Sequence, residues 1–287
     1  MQAIYKKEMK AYLHSVVGWL FMAFLTAFIG LYFFYANLLN GSPYFGYSLY
    51  SVSLIFVLTI PLLSMRIMAE ENKLKTDQLL LTAPVKTWKI VVGKYLSMVT
   101  LFTIVMLASC ILPLIMTKYG TVNLKMSYVG ILGFYLLGCA YMAIGLFISG
   151  ITENQAMAAI LTFVFVLATQ LSDSIVGLFN SDSKSNFVVF TVLAIAIAGI
   201  LYLSMKNIFV SAVSFIVIEL VMIVLYLVNS SIFDGLASKL VTGLSLVTPF
   251  ADMVSGVFEL KSVVFFLSVI IVFLYLADNS LKKRRFN

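Results

Sequence analysis

The chain has 287 residues, of which 62% are apolar and 11% charged, and its net charge is +7. A soluble domain carries about 25% charged residues, so a globule of this composition would lack a polar coat, while a disordered chain would not hold so much to bury. A polytopic membrane protein remains, in which the basic excess reports orientation rather than nucleic-acid binding.

The segment Gln2–His14 places Tyr5, Met9, Tyr12 and Leu13 on one helical face, with Lys6, Lys7, Lys10 and His14 opposite. That pattern fits an amphipathic helix at the inner interface (residues 1–15), lysines toward anionic headgroups, or a plain basic anchor. The first apolar stretch, Val16–Ala36, is longer than the 7–15 residues of a signal-peptide core, and no cleavage site follows it, so it reads as a retained span. A second span covers Leu49–Met65.

The longest informative polar stretch is the loop at 66–90, RIMAEENKLKTDQLLLTAPVKTWKI. Glu71 and Lys75 are an i, i+4 pair with the acid first. No Gly or Pro interrupts Ala69–Leu81, which predicts a helix of about three turns that Pro84 stops. Trp88 among Lys86 and Lys89 is an interfacial aromatic. From composition alone the loop is either a solvated connector or a knob that docks on a soluble partner.

The ordered series Arg66-x-Met68-Ala69-Glu70-Glu71-x-Lys73-x-x-Thr76-x-x-Leu79-Leu80-Leu81-Thr82-x-Pro84-Val85, followed by Trp88 and Val92-Gly93-Lys94-Tyr95, resembles the first cytoplasmic loop of ABC-2 type transporter permeases. Within that family the pattern is similar to that of the gliding-motility (GldF-like) and nitrous-oxide-accessory (NosY-like) permeases. Two positions depart from it: Lys75 stands where the family usually has Gly, and Gln78 where it usually has Glu. The resemblance implies a coupling helix seated in a cleft of a separate ATP-binding subunit, with Glu70, Glu71, Lys73, Thr76 and Leu80 as docking residues. ATP and Mg would then be bound by that partner, and this chain would hold no cofactor. It further implies two ATPase copies, a second permease copy or paralogue, and accessory subunits in some systems.

Beyond the loop, Ile90–Met116 and Met126–Ser149 are the third and fourth spans. The turn Gly150–Gln155 carries Glu153, either a second cytoplasmic contact or a helix-start acid favoured by the dipole. Ala156–Val176 follows, with Asp173 among polar residues at its outer end. Phe187–Met205 and Ile208–Val228 form a further pair, and Glu219 lies mid-span, where a charge costs about 2.5–3.5 kcal/mol and must be paired or face the bundle interior. The outer segment 229–261 contains Phe250, Met253, Val254, Val257 and Phe258 at helical spacing after the cap Thr248-Pro249. It predicts an amphipathic helix at the outer edge, and ABC-2 permeases carry a similar re-entrant pair there. The last span is Ser262–Ala277, and the basic tail Lys282-Lys283-Arg284-Arg285 ends the chain.

With the N-terminus inside, fourteen of the nineteen Lys and Arg fall in inner segments, so both termini read as cytoplasmic in a cell (inner) membrane. The expected architecture is therefore an all-α integral membrane bundle of about 6–8 transmembrane helices forming one permease domain, 1–287. Cys110 and Cys139 lie in apolar runs, and His14 is the single histidine. No disulfide framework, metal cluster or nucleophile–base set is legible, nor any phosphate-binding G-x-x-x-x-G-K-[ST]. The expected function is the membrane half of an exporter driven by another subunit's ATP hydrolysis. The alternatives are an ion-coupled secondary transporter using Glu219 or Asp173, which would favour internal repeats, and a scaffold that carries no cargo.

Overall fold

The computed structural model describes residues 1–76, 85–172, 191, 242–243 and 245–286. Two compact units divide the chain: Met1–Gln170 with Leu246–Asn287, and Leu171–Ser245. Within the second unit, the hydroxyls of Ser172 and Ser245 lie 2.7 Å apart. Apart from Thr191, the predicted pair Phe187–Met205 and Ile208–Val228, with Glu219, Asp173, Leu80 and residues 229–241 of the outer segment, lie outside the described residues.

Every regular element among the described residues of the first unit is a helix. In chain order its helices are α1 (Gln2–Leu13), α2 (Val16–Tyr32, continued by a π-helical turn Phe33–Leu39), α3 (Phe45–Val52), α4 (Phe56–Ser64), α5 (Ala69–Leu74), α6 (Thr87–Ser109), α7 (Leu112–Met116), α8 (Leu124–Ile151), α9 (Gln155–Gln170), α10 (Val247–Val254) and α11 (Leu260–Phe286). Among the described residues, five stretches are long and apolar enough to cross a membrane: Val16–Leu39, Phe45–Leu74, Thr87–Met116, Leu124–Ile151 and Leu260–Arg284. The described part of the fifth predicted span, Gln155–Gln170, is shorter at 16 residues.

Burial orders these spans. Inside the protein lies 78% of the apolar window of α8, against 28% for the first span and 22% for the last. α8 is therefore the central helix, and α2 and α11 turn apolar side chains such as Trp19, Phe24, Ile271 and Tyr275 outward. Around α8 the core is aromatic. Phe56 stacks on Phe134 at 4.6 Å and meets Phe102 and Tyr141 edge-on. Gly46 of α3 holds a close crossing, because a Cβ there would come within 2.9 Å of the Val254 carbonyl oxygen. Backbones pack this tightly in membrane bundles where small residues let them approach.

Several boundaries differ from the sequence reading. The second span is a broken helix, with a 3₁₀ turn at Ser53–Ile55 and Pro61 inside α4. The amide of Gln170 donates to the Ser53 carbonyl at this break. α10 stops at Val254 rather than running to Phe258: Gly256 adopts φ 86°, and Val257 and Phe258 are exposed. The last helix passes Ala277 and carries the basic tail to Phe286 in helical form.

The predicted three-turn loop helix is also shorter. α5 ends at Leu74 because Lys75 takes the left-handed conformation, φ 55°. Its N–H bonds to the Asn72 carbonyl and that of Thr76 to the Glu71 carbonyl, which together make a Schellman cap. Lys75 occupies the position where the resembling family usually has Gly, so the left-handed turn is kept with a side chain that disfavours it. Lys75→Gly is therefore expected to stabilise the chain by about 1 kcal/mol, the left-handed cost less Gly's extra unfolded-state entropy. Thermal unfolding of the purified protein checks this, and an unchanged or lower midpoint counts against a strained cap.

Candidate functional site: a buried charge lock beneath the loop

The N-terminal helix, the loop helix and the third span meet at one end of the bundle, and charged groups join them. Lys94 sits seven residues into α6 in an otherwise apolar run and is 1% exposed. A lysine so placed must be neutralised or paired. Its Nζ donates to Glu8 Oε1 of α1 at 3.0 Å and to the Ile67 carbonyl at 2.7 Å, and it pairs with Glu71 Oε2 of α5 at 2.8 Å. An ammonium has three donors, and here each has an acceptor. Lys7 closes the set by donating to Glu71 Oε1 at 2.8 Å and lying 3.9 Å from Glu8 Oε1. Two lysines thus face two carboxylates, and the cluster is neutral as a whole.

Electrostatics follow from that geometry. Burial works against the Lys7 charge, yet the Glu71 hydrogen bond and the nearby Glu71 and Glu8 carboxylates raise its amine above the ordinary lysine range. Burial, aided by Glu8, also pushes the Tyr12 phenol up. Tyr12 therefore stays a hydrogen-bond donor, and it donates to the Leu63 carbonyl at 2.9 Å. That carbonyl lies in the last turn of α4, where intrahelical partners run out.

A second joint ties the loop to the central helix. Ser149 of α8 accepts the N–H groups of Met68 and Ala69, at 3.1 and 3.0 Å, and its own hydroxyl donates to the Met65 carbonyl. Asn72 of α5 donates to the Gly150 and Thr152 carbonyls, at 3.3 and 3.0 Å.

The residues singled out by sequence separate into two sets. Glu71 turns inward, its side chain only 15% exposed. Glu70 is half-buried and accepts from Arg66 Nε at 3.0 Å. Lys73, Leu74 and Thr76 are exposed at the end of α5 and just past it, Leu74 and Thr76 on the cavity side with Glu71, and Lys73 turned away from it by helical spacing. A cavity of about 470 Å³ opens between α1 and the loop, lined by Lys7, Ala11, Tyr12, Arg66, Leu74 and Thr76 among others. Glu153 is exposed at the α8–α9 turn, 3.8 Å from Arg284 of α11. Among the described residues no three His, Cys, Asp or Glu side chains are grouped to hold a metal ion, and both lock carboxylates are taken up by lysines.

Glu8, Asn72 and Ser149 were not singled out by sequence reasoning, and Lys94 entered only as part of the resembling loop pattern, with no role given to it. Two carried a signal. Glu8 is the sole acid in a segment with three lysines, spaced i, i+4 and i+8 with Ile4 and Tyr12. That row is the inward face of α1, whereas Leu13, assigned inward from periodicity, is 38% exposed. Lys94 is a lone charge in the run IVVGKYLSMV.

A family model described as ABC-2 family transporter protein matches residues 36–182, just over half of the chain. The match includes Glu71, Asn72, Lys94 and Ser149 and leaves Glu8 outside. A search of curated proteins finds no match.

Proposed function

Because the chain belongs to the ABC-2 family of transporter proteins, and is thus a multi-pass membrane permease of an ABC-type system, we propose that it is the export half of such a system, with α5 as its docking element. Permeases of this family normally work with a cytoplasmic ATPase subunit. On this reading the ATPase engages the exposed end of α5, at Lys73, Leu74 and Thr76, with Glu70 at its edge. Glu71 instead holds the base of the helix through Lys94 and Lys7. The observation that carries the reading is the contrast within one short helix: Glu71 and Asn72 are ion-paired or hydrogen-bonded into the bundle, while Lys73, Leu74 and Thr76 at its end are exposed. A solvated connector needs no such base.

The orientation proposed with it puts the α1 end of the bundle in the cytoplasm of a cell whose inner membrane the chain spans. The basic groups Lys6, Lys7, Lys10, Arg66 and Lys282 to Arg284 then lie on that side. Energy reaches this chain only if the partner's nucleotide states bind the loop differently. Two ATPase copies and a second permease, identical or paralogous, complete the proposed assembly. The gliding-motility and nitrous-oxide-accessory branch is the proposed relative, and the cargo is left open in this reading.

The test is purification of the tagged full chain from its native membranes, with ATP hydrolysis measured in the product. Lys73→Glu is expected to cut the co-purified hydrolysis by roughly tenfold, the weight of one interfacial contact of about 1.4 kcal/mol, at an unchanged unfolding midpoint. Full hydrolysis with Lys73→Glu, or none with the unaltered chain, counts against docking at α5.

A further inference from the structure

Ser149 and Asn72 form a reciprocal cap. The start of α5 has no side-chain cap of its own, since Met68 cannot supply one. The orphan N–H groups of Met68 and Ala69 instead end on the hydroxyl of Ser149, eighty residues onward in the chain and fully buried. In the opposite direction, the final carbonyls of α8, which also lack intrahelical partners, receive the amide of Asn72, itself 8% exposed. Each helix end supplies what the other lacks, although α5 is joined covalently to α4 and not to α8. Separating them without admitting water would strand at least two N–H groups and the Asn72 amide, a penalty larger than the net gain from making such bonds. Beyond this joint, the corner continues through Thr152 to Glu153, which faces Arg284 of α11, and α11 packs along α8.

We infer that Ser149 and Asn72 are positioning residues that deliver movement of the loop to α8, the central helix of its unit, and through it to α11. The inference rests on the docking reading above but adds a route. The loop drives the α8–α9 corner through hydrogen bonds, and Glu153 belongs to the driven body rather than to a second docking contact. The alternative route bypasses this cap, running through the peptide chain from α5 into α4 and through the Glu71–Lys94 ion pair into α6. Such a route leaves α8 as a passive support.

Amide hydrogen exchange on the full-length chain in lipid nanodiscs separates the two, in two arms. In the chain alone, Ser149→Ala is expected to speed exchange at Met68 and Ala69 by roughly fivefold or more, and Ser149→Thr, which keeps the hydroxyl, to restore the slow rate. No change with Ser149→Ala overturns the cap irrespective of any ATPase. In the complex with the ATPase that co-purifies with the unaltered chain, ATP with vanadate is expected to alter exchange both at 66–76 and at 147–155. With Asn72→Ala or Ser149→Ala the change at 66–76 persists and that at 147–155 is lost. A corner that still responds in these variants overturns the route while leaving docking intact. Absence of an ATPase from the unaltered preparation instead counts against the docking reading, with the first arm still deciding the cap.

Discussion

Lys94→Met is expected to destabilise the purified chain by about 3–5 kcal/mol, the cost of removing one partner from a buried ion cluster. Methionine keeps nearly the length and volume of the lysine stem, so packing in α6 changes little. The loss comes from what remains. Glu8 and Glu71 would sit together with only Lys7, which is itself partly exposed, and the Ile67 carbonyl would lose its donor. The prediction separates a cluster that stabilises from one that merely exists, because a buried pair is not by itself proof of stabilisation. A second variant sharpens it. Glu8→Gln together with Lys94→Met leaves Lys7 against Glu71, a neutral pair, and is expected to recover part of the loss even though two native groups are gone. Thermal unfolding of the three proteins at matched detergent and lipid decides the matter. An unfolding midpoint for Lys94→Met equal to that of the native chain would remove the lock from the account. Salt should change these differences little, since groups buried to this degree are screened weakly.

Composition and periodicity made the membrane bundle legible, because a run of ~20 apolar residues has few other uses. They located three of the five long spans among the described residues to within a few residues of both ends, and ended the second and the last too early. What they did not give is the partner of each polar group. Whether Glu71 points outward or inward depends on Lys94, twenty-three residues away and beyond a proline, and periodicity says nothing about contacts at that range. The resembling loop pattern marks Glu71 as important without saying on which side of α5 it acts. Ser149 carried even less signal, since a serine near the end of an apolar helix usually bonds its own preceding turn. The left-handed turn at Lys75 lies at the limit of what local rules supply: the Gly expected by family pattern is absent, and the cap forms regardless because the Glu71 and Asn72 carbonyls still need donors. At α10 the local rule failed differently. Five apolar residues at helical spacing predicted a helix to Phe258, but Gly256 with its positive φ ends it after two turns, and the last two apolar residues face outward.

Glu71→Lys should be more damaging than Lys94→Met, because it exchanges the sign of a group rather than deleting one. The native cluster has two cations and two anions. The variant has three cations around Glu8 alone, in a place where the Lys94 ammonium is nearly inaccessible to water. Loss of the two Glu71 ion pairs and the new repulsion together exceed the ~3–5 kcal/mol expected for breaking one buried pair, a sizeable share of the ~5–15 kcal/mol that holds a domain folded. Two outcomes are expected together: detachment of α1 from the loop, read as fast amide exchange over residues 2–13, and loss of co-purified ATP hydrolysis. The second outcome alone would suit a surface contact as well, so the exchange measurement carries the distinction. The charge swap Glu71→Lys with Lys94→Glu restores two of each sign in one place. It is expected to slow exchange in α1 again and to return part of the hydrolysis, since the outward residues Lys73 and Thr76 are untouched. If Glu71→Lys abolishes hydrolysis while α1 keeps its native exchange, the carboxylate is read by the ATPase directly, and the lock is an accessory to docking rather than its foundation.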